Sequence, residues 1–530
     1  MMSSLLRWVD SEDTGDDDSD WLPENEGESD ALSFEEDDGT PVLSEEERAN
    51  LDKVFDGEVY NPRAFRRSEF EKKQREKLPF ERIAHQLRGY NEDSTPSRKQ
   101  LMFRTLCHRE LVGMSSKAQL IKLQETFMPF QENKHCRIVD SVRDRLYCGG
   151  FNSTGSRFLT AGQRGEIMLY DTMDWTHAAF LPVRDVSWTV TDAKFTPDDK
   201  NVVYSTINSN VRMVSTNFDQ DGKEYVFPLA RSTRAGRNSH LTRMSRFGRF
   251  GVWCIDINAS GTEFVAGTSQ SSVVLMDMET RVPLCHVIGH HDDVNAIAFV
   301  DGQLHTNVFV SGSDDSLIKL WDRRVLSESN PKPQGVFPGH TDGITHISSR
   351  DDGYYFISNS KDQTTKLWDI RKCFSSDDYD EQPEFDRPYS WDYRYQTYPG
   401  RNTKPVEHPN DKSVMTYRGH VVTETLIRCY FSPLHSTAQK YIYTGSADGR
   451  VYVYDSISGD LVEIFAMRSN GVTRDVHWHP FEPTIVSPDF YGKLCVWQRQ
   501  DDEEKKENAA SQPELFRRFS RTYYSNIYGM

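Results

Sequence analysis

Between residues 135 and 499 short apolar runs keep ending on a similar pair: Tyr170-Asp171, Val214-Ser215, Met276-Asp277, Trp321-Asp322, Trp368-Asp369, Tyr454-Asp455 and Trp497-Gln498. The intervals are 44, 62, 45, 47, 86 and 43 residues, and four of the six fit one unit of about 40 to 45 residues, the length of a four-stranded propeller blade. A single such unit cannot cover both faces of its sheet, so the units must stack. Seven units predict an all-β, seven-bladed β-propeller over residues 135–499. The two long intervals predict insertions, residues 231–250 between the second and third blades and residues 373–416 before the sixth.

The chain also contains a way to close that ring. After Trp497 it runs into "QRQDDEEKKEN", which leaves the seventh blade without a fourth strand, whereas "CRIVDSV", residues 136–142, is an extended segment placed just ahead of the first blade. Pairing the two would remove a bare sheet edge and clamp the ring.

Outside the repeats the composition changes by zones. The net charge of −18 comes almost wholly from residues 1–47, which hold 18 Asp or Glu and one Arg. Residues 1–43 are acidic and Ser-rich with few apolar positions, so they are expected to form a disordered tail, as are residues 500–530. Residues 44–134 read as a helical, locally basic segment. Ser44 and Glu47 form a capping box, and residues 63–122 carry 15 Lys or Arg against 7 Asp or Glu. A helix pair is expected across 97–128, with apolar stripes of Leu101, Met102 and Leu106 in the first helix and Leu120, Leu123 and Phe127 in the second.

With the acidic segment set aside the chain is nearly neutral, so a global basic field for direct nucleic-acid binding is not supported. No run of 18 apolar residues indicates a membrane span, and "MMSSLLRWVD" does not read as a secretory leader. A soluble, intracellular protein is expected. "RRSEFEKKQREK", residues 66–77, fits a nuclear-import signal as well as a solvated helix face, so the expected location is nucleus and cytoplasm. Eight cysteines stand singly, without C-x-x-C or paired His spacing, which points to reduced thiols and to no metal site.

Three repeats share further residues: Gly289-His290 precedes Trp321-Asp322, Gly339-His340 precedes Trp368-Asp369, and Gly419-His420 precedes Tyr454-Asp455. These resemble the WD-repeat family, in which a His, a Ser or Thr, a turn Asp and the Trp form a hydrogen-bonded chain inside a blade. The resemblance implies the sets His290, Ser311, Asp315 and Trp321; His340, Ser358, Asp362 and Trp368; and His420, Thr444, Asp448 and Tyr454. They read as structural and not catalytic, because they recur with the blade and each buried polar group supplies a partner for the next. Blades one, two, three and seven depart from the pattern, with Arg164, Asn208, Gln270 and Tyr491 at the turn position.

An arginine follows two of the Trp-Asp pairs at the same spacing, Arg324 in "IKLWDRR" and Arg371 in "TKLWDIR". A guanidinium at a strand end can extend over the rim, where its planar donor fork suits carboxylates and carbonyls. This W-D-x-R pattern resembles that of WD-repeat substrate receptors of cullin-4 RING ubiquitin ligases, as do "SNSKDQTTKLWDIRK", "WDYRYQ" and "SVMTYRGHVVTETLIRCYFSPLHST". The resemblance implies a non-catalytic specificity subunit with no cofactor. Trp321, Asp322, Arg324, Trp368, Asp369 and Arg371, with the helix pair, would meet the adaptor, damage-specific DNA-binding protein 1, and through it cullin-4. It also implies protein substrates such as stress-response basic-zipper transcription factors. The alternative is a WD-repeat scaffold in a chromatin or RNA-processing complex; a propeller enzyme is disfavoured, since no acid, base and nucleophile converge outside the repeats.

For substrate, the open face of the ring offers Asn295, Asp314, Thr345, Lys361 and Arg474. The first insertion, "RSTRAGRNSHLTRMSRFGRF", offers Arg237 and Arg243 among six arginines suited to acidic groups. The second carries Tyr389, Trp391, Tyr393, Tyr395 and Tyr398, aromatics dense enough to be expected to pack on the fifth or sixth blade.

Overall fold

The computed structural model describes residues 134–499, apart from 143, 164, 187, 218–221, 230–249, 301–306, 328–330, 384, 386, 388–390, 403–405 and 467–470. The acidic tail, the import-like stretch 66–77, the helix pair with Leu101, Met102, Leu106, Leu120, Leu123 and Phe127, the loop arginines Arg237 and Arg243, Arg164, Tyr389, and residues 500–530 lie outside the described residues.

Seven antiparallel four-stranded sheets make the seven-bladed propeller. Blades one to six take their strands in chain order within residues 146–182, 190–228, 252–288, 294–337, 344–418 and 429–466. The seventh is composite: three strands from His477 to Arg499 receive Lys134–Ser141 as their fourth. Its register runs from Lys134 opposite Arg499 to Ser141 opposite Lys493, so the closing segment is the one that the sequence offered. Asp140 of that strand then accepts from the Tyr170 hydroxyl at 2.7 Å, tying the closure to blade one.

Blades adhere because alternate side chains of each strand face the neighbouring sheet. Phe309 and Trp321 of blade four pack with Val265, Val273 and Val287 of blade three. Trp368 of blade five is fully buried against Phe337 and Ile344, with the Phe337 ring 5.9 Å away. Each such side chain contributes about 1.5 to 3 kcal/mol through burial. The Gly-His dipeptides have a steric origin: a Cβ on Gly289 would collide with the Trp321 ring, and one on Gly339 would lie 2.8 Å from the Trp368 ring.

The strand order assigns the loops to two faces. First-to-second-strand loops and the ends of third strands share one face. Second-to-third-strand turns and the connections between blades share the other. Arg324 and Arg371 therefore stand on the first face, and the Gly-His dipeptides on the second.

Candidate functional site: a face with two arginine forks

Arg324 and Arg371 follow the third strands Ile318–Asp322 and Thr364–Asp369 on adjacent blades. Each folds back on the aspartate two residues before it. Arg324 donates through Nε to Asp322 Oδ1 at 3.0 Å and through Nη2 to Oδ2 at 2.5 Å. Arg371 repeats this on Asp369 at 2.8 and 2.7 Å, and its Nη2 also meets the Tyr355 hydroxyl at 3.2 Å. The Arg371 guanidinium lies 4.8 Å from the centre of the Tyr354 ring.

These pairs hold the charge on both partners. The hydrogen bond from Arg324 lowers the carboxyl pKa of Asp322; at Asp369 burial acts to raise it and the bonds from Arg371 outweigh that; both arginine pKa values are raised, first by the bonds to their own aspartates. The side chains remain 66% and 56% exposed, and among the described residues neither Nη1 has a partner. The aspartate thus fixes the orientation of a cation that still faces outward, which reduces the ordering a partner must impose.

Trp321 and Trp368 correct the expectation that they meet the adaptor: both are buried and serve their own blades. His290 Nδ1 meets Asp315 Oδ2 at 2.8 Å, His290 Nε2 meets Ser311 Oγ at 2.7 Å, and Trp321 Nε1 donates to Ser311 Oγ at 2.8 Å. His340, Asp362, Ser358 and Trp368 repeat the chain at 2.8, 2.7 and 2.7 Å. The Asp315 and Asp362 carboxyls are held far below the ordinary range, their histidines outweighing burial.

The third set corrects the expectation. His420 Nδ1 meets the Tyr454 hydroxyl directly at 3.2 Å, so Thr444 has no relay to supply and donates to the Arg428 carbonyl. Asp448 instead accepts from the Tyr452 hydroxyl at 2.6 Å, and His420 Nε2 reaches Asn359 Oδ1 at 2.9 Å. The cause is the phenol, which carries its own hydroxyl where an indole would need a serine. Blade seven keeps a fragment of the chain, Trp497 Nε1 on Ser487 Oγ at 3.0 Å.

The open-face positions also need correction, because they do not stand open. Asn295, Thr345 and Arg474 are buried and bond to backbone carbonyls of the next blade: Asn295 to Ile344, Thr345 to Ile427, and Arg474 to Tyr147. Thr191 does the same to Val252. Thr191, Asn295 and Thr345 sit where the register of the first strand shifts, a bulge that turns the side chain toward the neighbouring blade. Lys361 is buried on Asp314 at 2.7 Å and lies 4.2 Å from the centre of the Tyr393 ring.

Tyr393 belongs to the second insertion, which forms a strap. It leaves the arginine face after Arg371, pairs Phe374 with Val336 on the outer strand of blade four, and turns through the short helix Ser376–Asp380. It then reaches the opposite face, where buried Trp391 donates to Asp342 Oδ2 at 2.8 Å and Arg387 bonds the Asp314 carbonyl. Trp391, Tyr393 and Tyr398 pack on the protein, whereas Tyr395 is 83% exposed.

Two features go beyond what the sequence suggested, the first within "WDYRYQ", which carried part of the resemblance but was not expected to form a fork. "WDYR" within the strap is a third W-D-x-R: Arg394 grips Asp392 at 2.9 and 2.6 Å, though its side chain is only 18% exposed. The pattern was visible, but not at a strand end. The second is an ion network in the central channel. Arg428 of blade six bonds Asp192 of blade two at 2.9 Å and Asp475 of blade seven at 3.3 Å, while Lys194 bonds Asp256 at 2.7 Å. Charged residues in otherwise apolar first strands, as in "TDAKF" and "TRDVHW", were the available signal.

Comparison with known proteins agrees with the repeat pattern. The WD40 family, "WD domain, G-beta repeat", matches residues 281–322, 331–369 and 411–455, with the strap in the gap. The chain is 40% identical over 369 residues to the LEC14B protein of Lithospermum erythrorhizon, covering 69% of this chain and 75% of that one. It is 37% identical over 367 residues to the LEC14B homolog of Prunus armeniaca, covering 69% and 74%. With the DDB1- and CUL4-associated factor 11 homolog of Caenorhabditis elegans it shares 30% identity over 423 residues, 78% of this chain and 70% of that one.

Proposed function

From the premise that the chain belongs to the WD40-repeat family of the LEC14B proteins and the DDB1- and CUL4-associated factor 11 homologues, we propose that it is a substrate receptor of a cullin-4 RING ubiquitin ligase. In this reading it bridges the adaptor, damage-specific DNA-binding protein 1, to proteins destined for ubiquitination. The observation that carries it is the pair of ordered, outward-facing arginine forks on adjacent blades, each held by the aspartate of a Trp-Asp pair whose tryptophan is occupied within its blade. The receptor is read as non-catalytic, since the His-Asp pairs of blades four and five are buried links in the blade. Stress-response basic-zipper transcription factors are the proposed substrate class, and nucleus and cytoplasm the proposed location, the latter supported by the basic stretch 66–77.

The test is affinity capture from cells of the wild type and of an Arg324→Ala, Arg371→Ala double variant, with quantitation of adaptor and cullin. The wild type should retrieve both, and the variant should retrieve them at least about tenfold less well, with unchanged melting. Equal recovery by the variant, or a wild type that brings down chromatin or RNA-processing factors and no ligase subunit, would overturn the reading in favour of a scaffold.

A further inference from the structure

The arginine forks occupy only part of their face. On the same face the first-to-second-strand loops of blades five, six and seven each expose one large apolar side chain: Tyr354 at 49%, Leu434 at 44% and Phe481 at 47%. These loops are joined to one another. Arg350 beside Tyr354 exchanges two hydrogen bonds with Gln439 of the Leu434 loop, at 3.3 and 2.8 Å. His435, next to Leu434, stacks on Phe481 with ring centres 5.4 Å apart. Tyr354 in turn carries the Arg371 guanidinium. An apolar arc therefore runs from the arginine of blade five to blade seven without leaving the face.

The far end of the arc is marked by the chain itself. Lys134, where the described residues begin, pairs with Arg499 at the end of a third strand, so the closing strand enters blade seven from this face. The candidate helix pair 97–128 precedes it by only a few residues. On the shorter way round the ring, blades six and five separate the entry of Lys134–Ser141 in blade seven from Arg324 in blade four, and the arc lies along that way.

We infer that Tyr354, Leu434 and Phe481 are a second, apolar half of the adaptor-binding surface, covered by the adaptor between the arginine forks and the point where Lys134–Ser141 enters blade seven. This rests on the ligase reading above. A Tyr and a cation beside exposed Leu and Phe is the composition of an interface centre, and two adjacent guanidinium groups suit a partner whose apolar patch is edged by carboxylates. Leu434 and Phe481 are separated from the forks in sequence and make none of their hydrogen bonds, so their contribution can be measured independently.

The experiment uses the full chain and purified adaptor in a direct binding assay. A Leu434→Asp, Phe481→Asp variant should bind at least about tenfold more weakly, while a Leu284→Asp, Ile288→Asp variant on the exposed outer strand of blade three should bind as the wild type does. Melting temperature and near-ultraviolet circular dichroism confirm that each is folded; if the arc variant does not fold, Leu434→Ser and Phe481→Ser replace it. Unchanged affinity in the arc variant with weakened affinity in the arginine variant overturns the arc and leaves the ligase reading intact. No adaptor binding by the wild type overturns both. Self-association abolished by the arc variant, or increased cleavage within residues 97–133 in that variant with no adaptor present, assigns the arc to a second copy or to this chain's own segment, and overturns the inference as well.

Discussion

His420 lies wholly inside the ring, its two nitrogens committed to Tyr454 and Asn359. Burial drives its pKa down to about 3, with Arg418 adding to the effect and Asp362 opposing it. An unfolded histidine titrates near ~6.5, so below that pH the unfolded chain binds the proton more readily than the folded one. The stabilisation is therefore full above ~6.5 and is lost as pH falls toward 3, with a slope of up to about 1.4 kcal/mol per pH unit for this group. A His420→Gln variant retains a donor and an acceptor but does not titrate. Urea midpoints measured from pH 7.5 to 4 should fall less steeply for it than for the wild type; parallel curves would show that His420 contributes nothing to the acid limb.

At the scale of elements, the strap is held chiefly by Trp391, buried with its indole N–H on Asp342, and by Tyr393 over Lys361. Replacing Trp391 by Ala removes a ring packed 5.3 Å from Tyr398 and leaves Asp342 without that donor. Such truncations cost about 3 to 5 kcal/mol, enough to loosen the strap as far as Met415–Arg418, the fourth strand of blade five in which it ends. Limited trypsin treatment should then cut at Arg394 or Arg401 in the variant well before the rest of the ring is degraded, with little change in the main thermal transition. Equal resistance in both proteins would show that the strap is held by other contacts. The blades themselves were readable because their packing repeats: Trp321 and Trp368 recur at the same step as Ser311 and Ser358. The strap was readable only as aromatic density, since nothing local indicates that Trp391 would meet Asp342, 49 residues earlier.

For the whole molecule, the decisive side chains are those that cross the axis. Arg428 links blades six, seven and two, and its own pKa is raised well above the usual value as Asp192 and Asp475 outweigh burial. Substituting Met would leave two buried carboxylates without their shared cation, at a cost of about 3 to 5 kcal/mol. An Arg428→Met, Asp192→Asn double variant should recover part of that loss. Urea unfolding of the three proteins checks both statements, and a double variant less stable than the single would refute the pairing. This network and the inter-blade bonds of Asn295, Thr345 and Arg474 were the least legible part of the sequence. A polar side chain in a first strand can face a ligand or the next blade, and only the bulge that turns it decides which.

Ring closure also has a temporal side. The strand Lys134–Ser141 leaves the ribosome before any blade, yet its partner Lys493–Arg499 is the last strand of the ring to be made. At ordinary translation speeds, roughly 350 intervening residues impose a wait of about 20 to 70 seconds, during which the strand's backbone donors and acceptors are unmatched. Newborn chains of this protein must therefore depend, more than finished ones do, on whatever shields an orphan strand from a stranger's edge.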